Sequence, residues 1–281
     1  MLVFALSAGP YFLVIHAGHL AVGGGLVVGL LMWIPATAAF LTCRLLGIDN
    51  ATLGWRWSPV RFEVLAYVLP LLYATPVYLA CWLLIPHSFA FGNFAAGLGT
   101  PYGFPAWPRA STVFLGLPVL ATFGIIRSLS RALGEEIGWR GFLLPRLTEK
   151  FGWKTGCLIS GCIWAVWHYP LLLFADYNAG TPKLFAMTCF TVMVIGDAFQ
   201  LGWLRLRSNS LWPCAMLHAS HNLFVQAVFD GMTAPAGKAL YLTTEFGAGL
   251  AITCAVTAYA LWKRPPDLLK ESGDLPLQQT A

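Results

Sequence analysis

Residues 20–42 read LAVGGGLVVGLLMWIPATAAFLT, a run without a single charged side chain. About 20 apolar residues in a helix are enough to cross the hydrocarbon core of a bilayer. The stretch therefore predicts a membrane-spanning helix, so the surroundings of the rest of the chain are taken to be lipid rather than water.

The whole chain shares this character, since 58% of its residues are hydrophobic and 10% are charged. Soluble domains average about 45–50% and about 25%. We predict an all-α, polytopic membrane protein with a bundle of about eight transmembrane helices around an intramembrane polar cavity. The apolar runs that support this count are 2–15, 20–42, 64–85, 113–126, 156–174, 184–204, 211–229 and 239–262. Run 2–15 lacks the charged start and the cleavage site of a signal peptide, so we expect it to be retained.

The basic residues predict the orientation of the bundle. If the spans alternate, most Lys and Arg side chains fall on one face, and only Arg109, Lys183 and Lys238 fall on the other. The cationic face is expected to be cytoplasmic, and in a bacterium the membrane would be the plasma membrane. The net charge of +5 is thus a topology signal, and no nucleic-acid partner is expected. We assign residues 1–264 to the membrane domain and 265–281 to a disordered cytoplasmic tail.

Charged side chains within the spans are the candidates for function, because each costs about 2.5–3.5 kcal/mol to insert. The stretch GEEIGWRGFLLPRL, residues 134–147, holds two adjacent acids. Glu136 and Arg140 are spaced i, i+4 in the favourable order and can pair on one helix face. Glu135 points about 100° away and is freer to face a cavity. The alternative is that both acids only neutralise arginines at the membrane border.

Two later stretches supply histidines. In IWAVWHYPLLL, residues 163–173, Trp164 and His168 lie one turn apart, so Trp164 could steady the ring of His168. A lone intramembrane histidine also serves as an interhelical hydrogen-bonding group, which is the alternative here.

In LWPCAMLHASHNLF, residues 211–224, His218 and Asn222 share a helix face and offer N–H donors suited to an oxyanion. His221 lies at the edge of that face, so the spacing leaves open which histidine points inward. A polar seam between helices is the alternative. Asp197 and Gln200, in the run 184–204, are given no role.

These motifs together resemble the CPBP family, which covers the type II CAAX prenyl proteases and the bacteriocin-processing, or Abi-type, intramembrane proteases. The resemblance rests on Glu-Glu-x-x-x-Arg at 135–140, aromatic-x-x-x-His at 164–168 and His-x-x-x-Asn at 218–222, in that order. The motif-bearing core spans about 111–230. The family often has phenylalanine where this chain has Trp164, which keeps an aromatic ring.

The resemblance implies an intramembrane endopeptidase whose substrate is a membrane-proximal peptide or protein, with a lipidated C-terminus as one form. Glu135 would activate water with His168, and His218 and Asn222 would hold the oxyanion. Glu136, Arg140 and Trp164 would support them. Glu135, His168 and His218 could instead hold Zn²⁺, and a metal-free glutamate mechanism is equally compatible with the same residues.

Two other classes of function remain open from the sequence. A proton-coupled transporter would use the buried acids and histidines as a relay, although we find no inverted repeat in the chain. A non-catalytic membrane scaffold or bacteriocin-immunity protein would bind a partner in the same cavity.

Overall fold

The computed structural model describes residues 2–98, 109–235 and 237–266. Within these ranges the chain is helical, and extended backbone pairs only in an isolated bridge between Phe89 and Thr233. The predicted all-α class is therefore confirmed. The α-helices are α1 Leu2–Ala17, α2 Leu26–Leu46, α3 Val60–Leu84, α4 Phe91–Leu98, α5 Arg109–Ser111, α6 Leu117–Val119, α7 Ile125–Glu136, α8 Leu144–Phe174, α9 Lys183–Ser208, α10 Trp212–His221, α11 Ala239–Leu242 and α12 Ala248–Trp262. Shorter helical segments join some of them: π-helix at Thr112–Gly116, Leu120–Gly124, Ile137–Leu143 and Asn222–Phe229, and 3₁₀-helix at Val22–Gly25 and Asn50–Leu53.

The membrane character of the bundle shows in its lengths and its surface. Among the described residues, four helical segments are long and apolar enough to cross a bilayer: Val22–Leu46, Val60–Leu84, Thr112–Phe174 and Lys183–Ser208. Large apolar side chains such as Leu83 and Phe114 are 81% and 80% exposed, which suits contact with lipid rather than water. The chain is thus a polytopic membrane protein, while the count of eight spans stays a prediction.

The junction expected between runs 113–126 and 156–174, where basic residues are concentrated, lies at Gly152. The helical path that begins at Thr112 leaves the helical conformation there, with φ of 77° and ψ of 162°, so that two helices meet at a kink. A positive φ is a backbone conformation that glycine tolerates. Arg127 and Arg131 lie before this kink on α7, which packs against α2 and α10.

Small residues bring the motif-bearing helix close to its neighbour. A Cβ atom built on Gly134 would lie 2.6 Å from the carbonyl oxygen of Met32, and one on Gly138 would lie 2.5 Å from Cβ of Pro35. Glycine at such contacts lets two membrane helices approach at backbone distance. The approach keeps the α7 segment inside the bundle, with both of its glutamates buried.

Two expectations fall outside this description. The predicted tail lies almost wholly within residues 267–281, which are not described, and the side chain of Arg109 is not described either. The domain assignment 1–264 stays a prediction.

Candidate active site

A cavity of about 670 Å³ lies inside the bundle. Its wall includes Glu135 from α7, Trp164 and His168 from α8, His218 from α10 and Asn222 from the π-helical continuation of α10. Cavities of about 300–1,000 Å³ are typical of ligand sites. Packing of the helices thus brings the three sequence motifs together around one space.

Glu135 is held in the cavity wall by Trp164, which the sequence pattern paired with His168. Its side chain is 2% exposed, and the indole Nε1–H of Trp164 donates to Oε2 at 2.7 Å. Its other oxygen, Oε1, accepts no hydrogen bond from the part of the chain that the structure describes. The carboxylate is therefore oriented at one oxygen, while the other remains available to a molecule in the cavity.

His168 is fixed by its own helix and by surrounding rings. Its Nδ1 lies 2.9 Å from the backbone carbonyl of Trp164. A carbonyl only accepts, so Nδ1 carries the proton and Nε2 of the neutral ring presents a lone pair. Trp167, Phe190 and Tyr177 pack around the ring with centroid distances of 4.9, 5.2 and 5.9 Å. The ring is thus suited to accept a hydrogen bond from water at Nε2.

Glu136 has two partners, of which the sequence predicted one. The expected pair is present: Arg140 Nη1 lies 2.9 Å from Glu136 Oε1, and both side chains are 0% exposed. The guanidinium also lies 4.1 Å above the ring of Trp164. The second partner is His218, whose Nδ1 lies 2.8 Å from the same carboxylate oxygen. Glu136 therefore links the arginine to one of the histidines of the third motif.

The bond to Glu136 also sets the proton position on His218. An ionised carboxylate only accepts, so Nδ1 carries a proton, and Nε2 donates only when the ring is protonated on both nitrogens. Asn222, half-buried, accepts at Oδ1 from Gln226 Nε2 at 3.4 Å. Within the described ranges its amide nitrogen has no hydrogen-bond partner, so it can donate into the cavity.

His221, whose orientation the spacing left open, also lines the cavity. Its Nδ1 is hydrogen-bonded to the hydroxyl of Tyr73, and its Nε2 lies 3.0 Å from Glu245 Oε1. Asp197 Oδ2 lies 3.7 Å from Nδ1. Asp197 in turn accepts from Gln200 Nε2 at 3.1 Å. Both histidines of the third motif are therefore held by acids, His218 by Glu136 and His221 by Glu245. Asp197 and Gln200 support His221.

Sequence reasoning missed Glu245 altogether. It lies between α11 and α12, is 7% exposed and accepts a second hydrogen bond from the hydroxyl of Tyr177 at 2.9 Å. A usable signal was present, because Glu245 is the one charged residue in the apolar run 239–262. An acid in such a run is a functional candidate by the same rule that selected Glu135.

The sequence also allowed a zinc ion bound by Glu135, His168 and His218. Imidazole and carboxylate are ordinary zinc ligands. In the described part of the chain, however, no three His, Cys, Asp or Glu side chains are grouped closely enough to hold a metal ion. The arrangement of Glu135, His168 and His218 does not fit that ligand set, so the chemistry below is derived for water and side chains alone.

Comparison with known proteins points to the same segment. A family model described as type II CAAX prenyl endopeptidase, Rce1-like, matches residues 117–224, which include the motif residues from Glu135 to Asn222. CAAX prenyl protease 2 of Methanococcus maripaludis is 23% identical over 84 residues. The aligned stretch covers 29% of this chain and 31% of that protein, so less than a third of the relative's length is matched. The resemblance seen in the three motifs is confirmed in this segment: residues 117–224 match the Rce1-like family of type II CAAX prenyl endopeptidases.

Proposed function

We propose that this chain is an intramembrane endopeptidase that hydrolyses a peptide bond near the membrane with a water activated by Glu135. The observation that carries the proposal is the convergence of Glu135, His168, His218 and Asn222 on one cavity within a membrane bundle. The family match over 117–224 supports the reaction class.

In the mechanism that we propose, Glu135 is the general base. Its free Oε1 takes a proton from a water molecule that also donates to Nε2 of His168. The water oxygen forms a bond to the carbonyl carbon of the substrate, and the carbonyl oxygen becomes an oxyanion. Protonated His218, through Nε2–H, and the amide of Asn222 donate to this oxyanion. The C–N bond then breaks, and the leaving amine takes the proton from Glu135.

The supporting residues have distinct tasks in this scheme. Trp164 holds the second oxygen of Glu135, so that the base keeps one orientation. Glu136 holds His218 at Nδ1 and stabilises the ring when it is doubly protonated. Arg140 holds the Glu136 carboxylate in place through their ion pair.

The expected substrate is a peptide segment at the membrane surface, with a lipidated C-terminus or a bacteriocin-like leader as its two forms. Apolar side chains that include Leu31, Leu120 and Leu223 line the cavity beside the polar group and suit a lipid or apolar peptide chain. We expect the cavity to open towards the cytoplasm, on the charge argument made from the sequence.

The test compares wild type with Glu135→Gln for cleavage of a panel of membrane-proximal peptides in detergent. Removal of a general base typically costs about 10²–10⁴ in rate. The matched control is Glu149→Gln, an exposed acid further along the same helical path, which should retain activity within about twofold. Equal activity of Glu135→Gln and wild type would refute the assignment.

The same preparations separate the rival functions. Full activity in protein shown by elemental analysis to contain no metal, with and without chelator, would remove zinc from the mechanism. Glu135-dependent ion flux in proteoliposomes, with no peptide cut, would replace the protease with a transporter. Complementation by the double alanine variant at Glu135 and His168 would indicate a scaffold.

A further inference from the structure

The polar network around Glu245 has no role in the mechanism described so far. Its members come from separate parts of the chain: Tyr73 from α3, Tyr177 from the segment between α8 and α9, His221 from α10 and Glu245 from the segment before α12. Glu245 uses one carboxylate oxygen for His221 and the other for Tyr177. One buried acid therefore ties two helix-connecting segments to α10.

Hydrogen-bond directions in the network are mutually consistent. The ionised carboxylate of Glu245 accepts from the hydroxyl of Tyr177 and from Nε2–H of His221. Nδ1 of His221 shares a hydrogen bond with the hydroxyl of Tyr73. Both ring nitrogens of His221 are thereby occupied, so this histidine is engaged in fixing structure and is not free to act on a substrate.

Each end of the network adjoins one half of the proposed catalytic set. At one end, the ring of Tyr177 packs on His168 at a centroid distance of 5.9 Å. At the other end, His221 precedes Asn222 directly and follows His218 by three residues. The connection through Glu245 thus runs from the ring proposed to orient the water to the helix proposed to hold the oxyanion.

We propose that Glu245 is a positioning residue that, through Tyr177 and His221, sets the separation between His168 and the oxyanion donors His218 and Asn222. The inference rests on the proposed protease function. Tyr177 packs on the ring of His168 from outside α8, and its hydroxyl bond to Glu245 keeps it there. Loss of the bond releases the connecting segment and lets His168 turn away from the water.

The experiment measures kcat and KM for Tyr177→Phe in the full-length protein, with the best substrate of the peptide panel. Phenylalanine retains the ring and its packing and removes only the hydroxyl. A misplacement of about 1 Å can cost roughly 100-fold in rate, so we expect kcat to fall by roughly 10- to 100-fold and KM to change by less than about twofold. The matched control is Tyr169→Phe, next to His168 on α8, whose hydroxyl bonds Thr191 at 2.8 Å. This control should retain the wild-type kcat.

Glu245→Gln and the double variant Tyr177→Phe/Glu245→Gln complete a cycle. If both residues act through one bond, the double variant is no slower than the slower single variant. Unchanged kcat in Tyr177→Phe, or equal losses in it and in Tyr169→Phe, would overturn the positioning role. Multiplicative losses in the double variant would overturn it as well. Failure of the proposed function looks different, because wild type and Glu135→Gln would then be equally inactive, and the positioning role would fall with it.

Discussion

The buried pair Glu136–Arg140 allows a quantitative prediction about stability. Both side chains are 0% exposed, and the charged atoms are 2.9 Å apart. At an effective dielectric constant of about 20, unit charges at that distance attract by about 6 kcal/mol. Much of this attraction offsets the cost of removing both charges from water. The net value of the pair is small, while the cost of leaving one charge alone is large.

We therefore expect Glu136→Gln and Arg140→Met each to lower the free energy of unfolding by about 3–5 kcal/mol. Glutamine keeps an oxygen that can accept from His218, so the first variant mainly removes the charge. In the double variant no uncompensated charge remains. It should lose no more than the larger single loss, which gives a coupling of at least about 3 kcal/mol.

The assay is equilibrium unfolding in mixed micelles, with the four proteins of the cycle titrated with SDS under one condition. Independent sites add within about 0.3–0.5 kcal/mol. Additive losses would refute the reasoning, since they would mean that water or lipid headgroups, and not the partner, solvate each charge.

Two further predictions concern the helix contacts of the site. Trp164→Phe removes the hydrogen-bond donor to Glu135 but retains a ring. Because a hydrogen bond to a charged group contributes about 1.5–3 kcal/mol, kcat should fall roughly tenfold or more. An unchanged kcat in the peptide assay would contradict this prediction. Gly138→Ala would place a Cβ 2.5 Å from Pro35 and should lower the free energy of unfolding by about 1–3 kcal/mol in the SDS titration. Gly29→Ala, on the same helix as Pro35 and with no atom within 4 Å of its added Cβ, should not be destabilised, and equal losses would refute the contact argument.

Local geometry explains what could be predicted about the site. Residues four apart on a helix face each other whatever surrounds them, so the pairing of Glu136 with Arg140 follows from the sequence. The cost of burying charge in lipid likewise singles out the acids and histidines of the apolar runs. The same rule applies to Glu245. It was missed because it stands alone in the run 239–262 and forms no motif with a neighbouring charged residue. The roles of Glu135, His168, His218 and Asn222 in catalysis stay predictions.

Contacts between distant segments could not be predicted in this way. The spacing paired Trp164 with the ring of His168, and the two rings do meet edge to face at 6.0 Å, but the indole N–H of Trp164 also donates to Glu135, which the spacing could not show. Likewise, nothing local distinguishes His218 from His221, since both lie on nearly the same face. Their different partners, Glu136 on α7 and Glu245 in the segment before α12, come from distant parts of the chain.

The sequence by itself determined that this chain is an all-α membrane protein with three ordered polar motifs, because composition and helical period act over a few turns. Only the tertiary structure decided that the motifs share one cavity and that Glu245 joins two of its walls. The physical reason is that side-chain partners across helices depend on how closely the backbones approach. In this bundle that approach is governed by small residues such as Gly134 and Gly138, whose contacts lie far away along the chain.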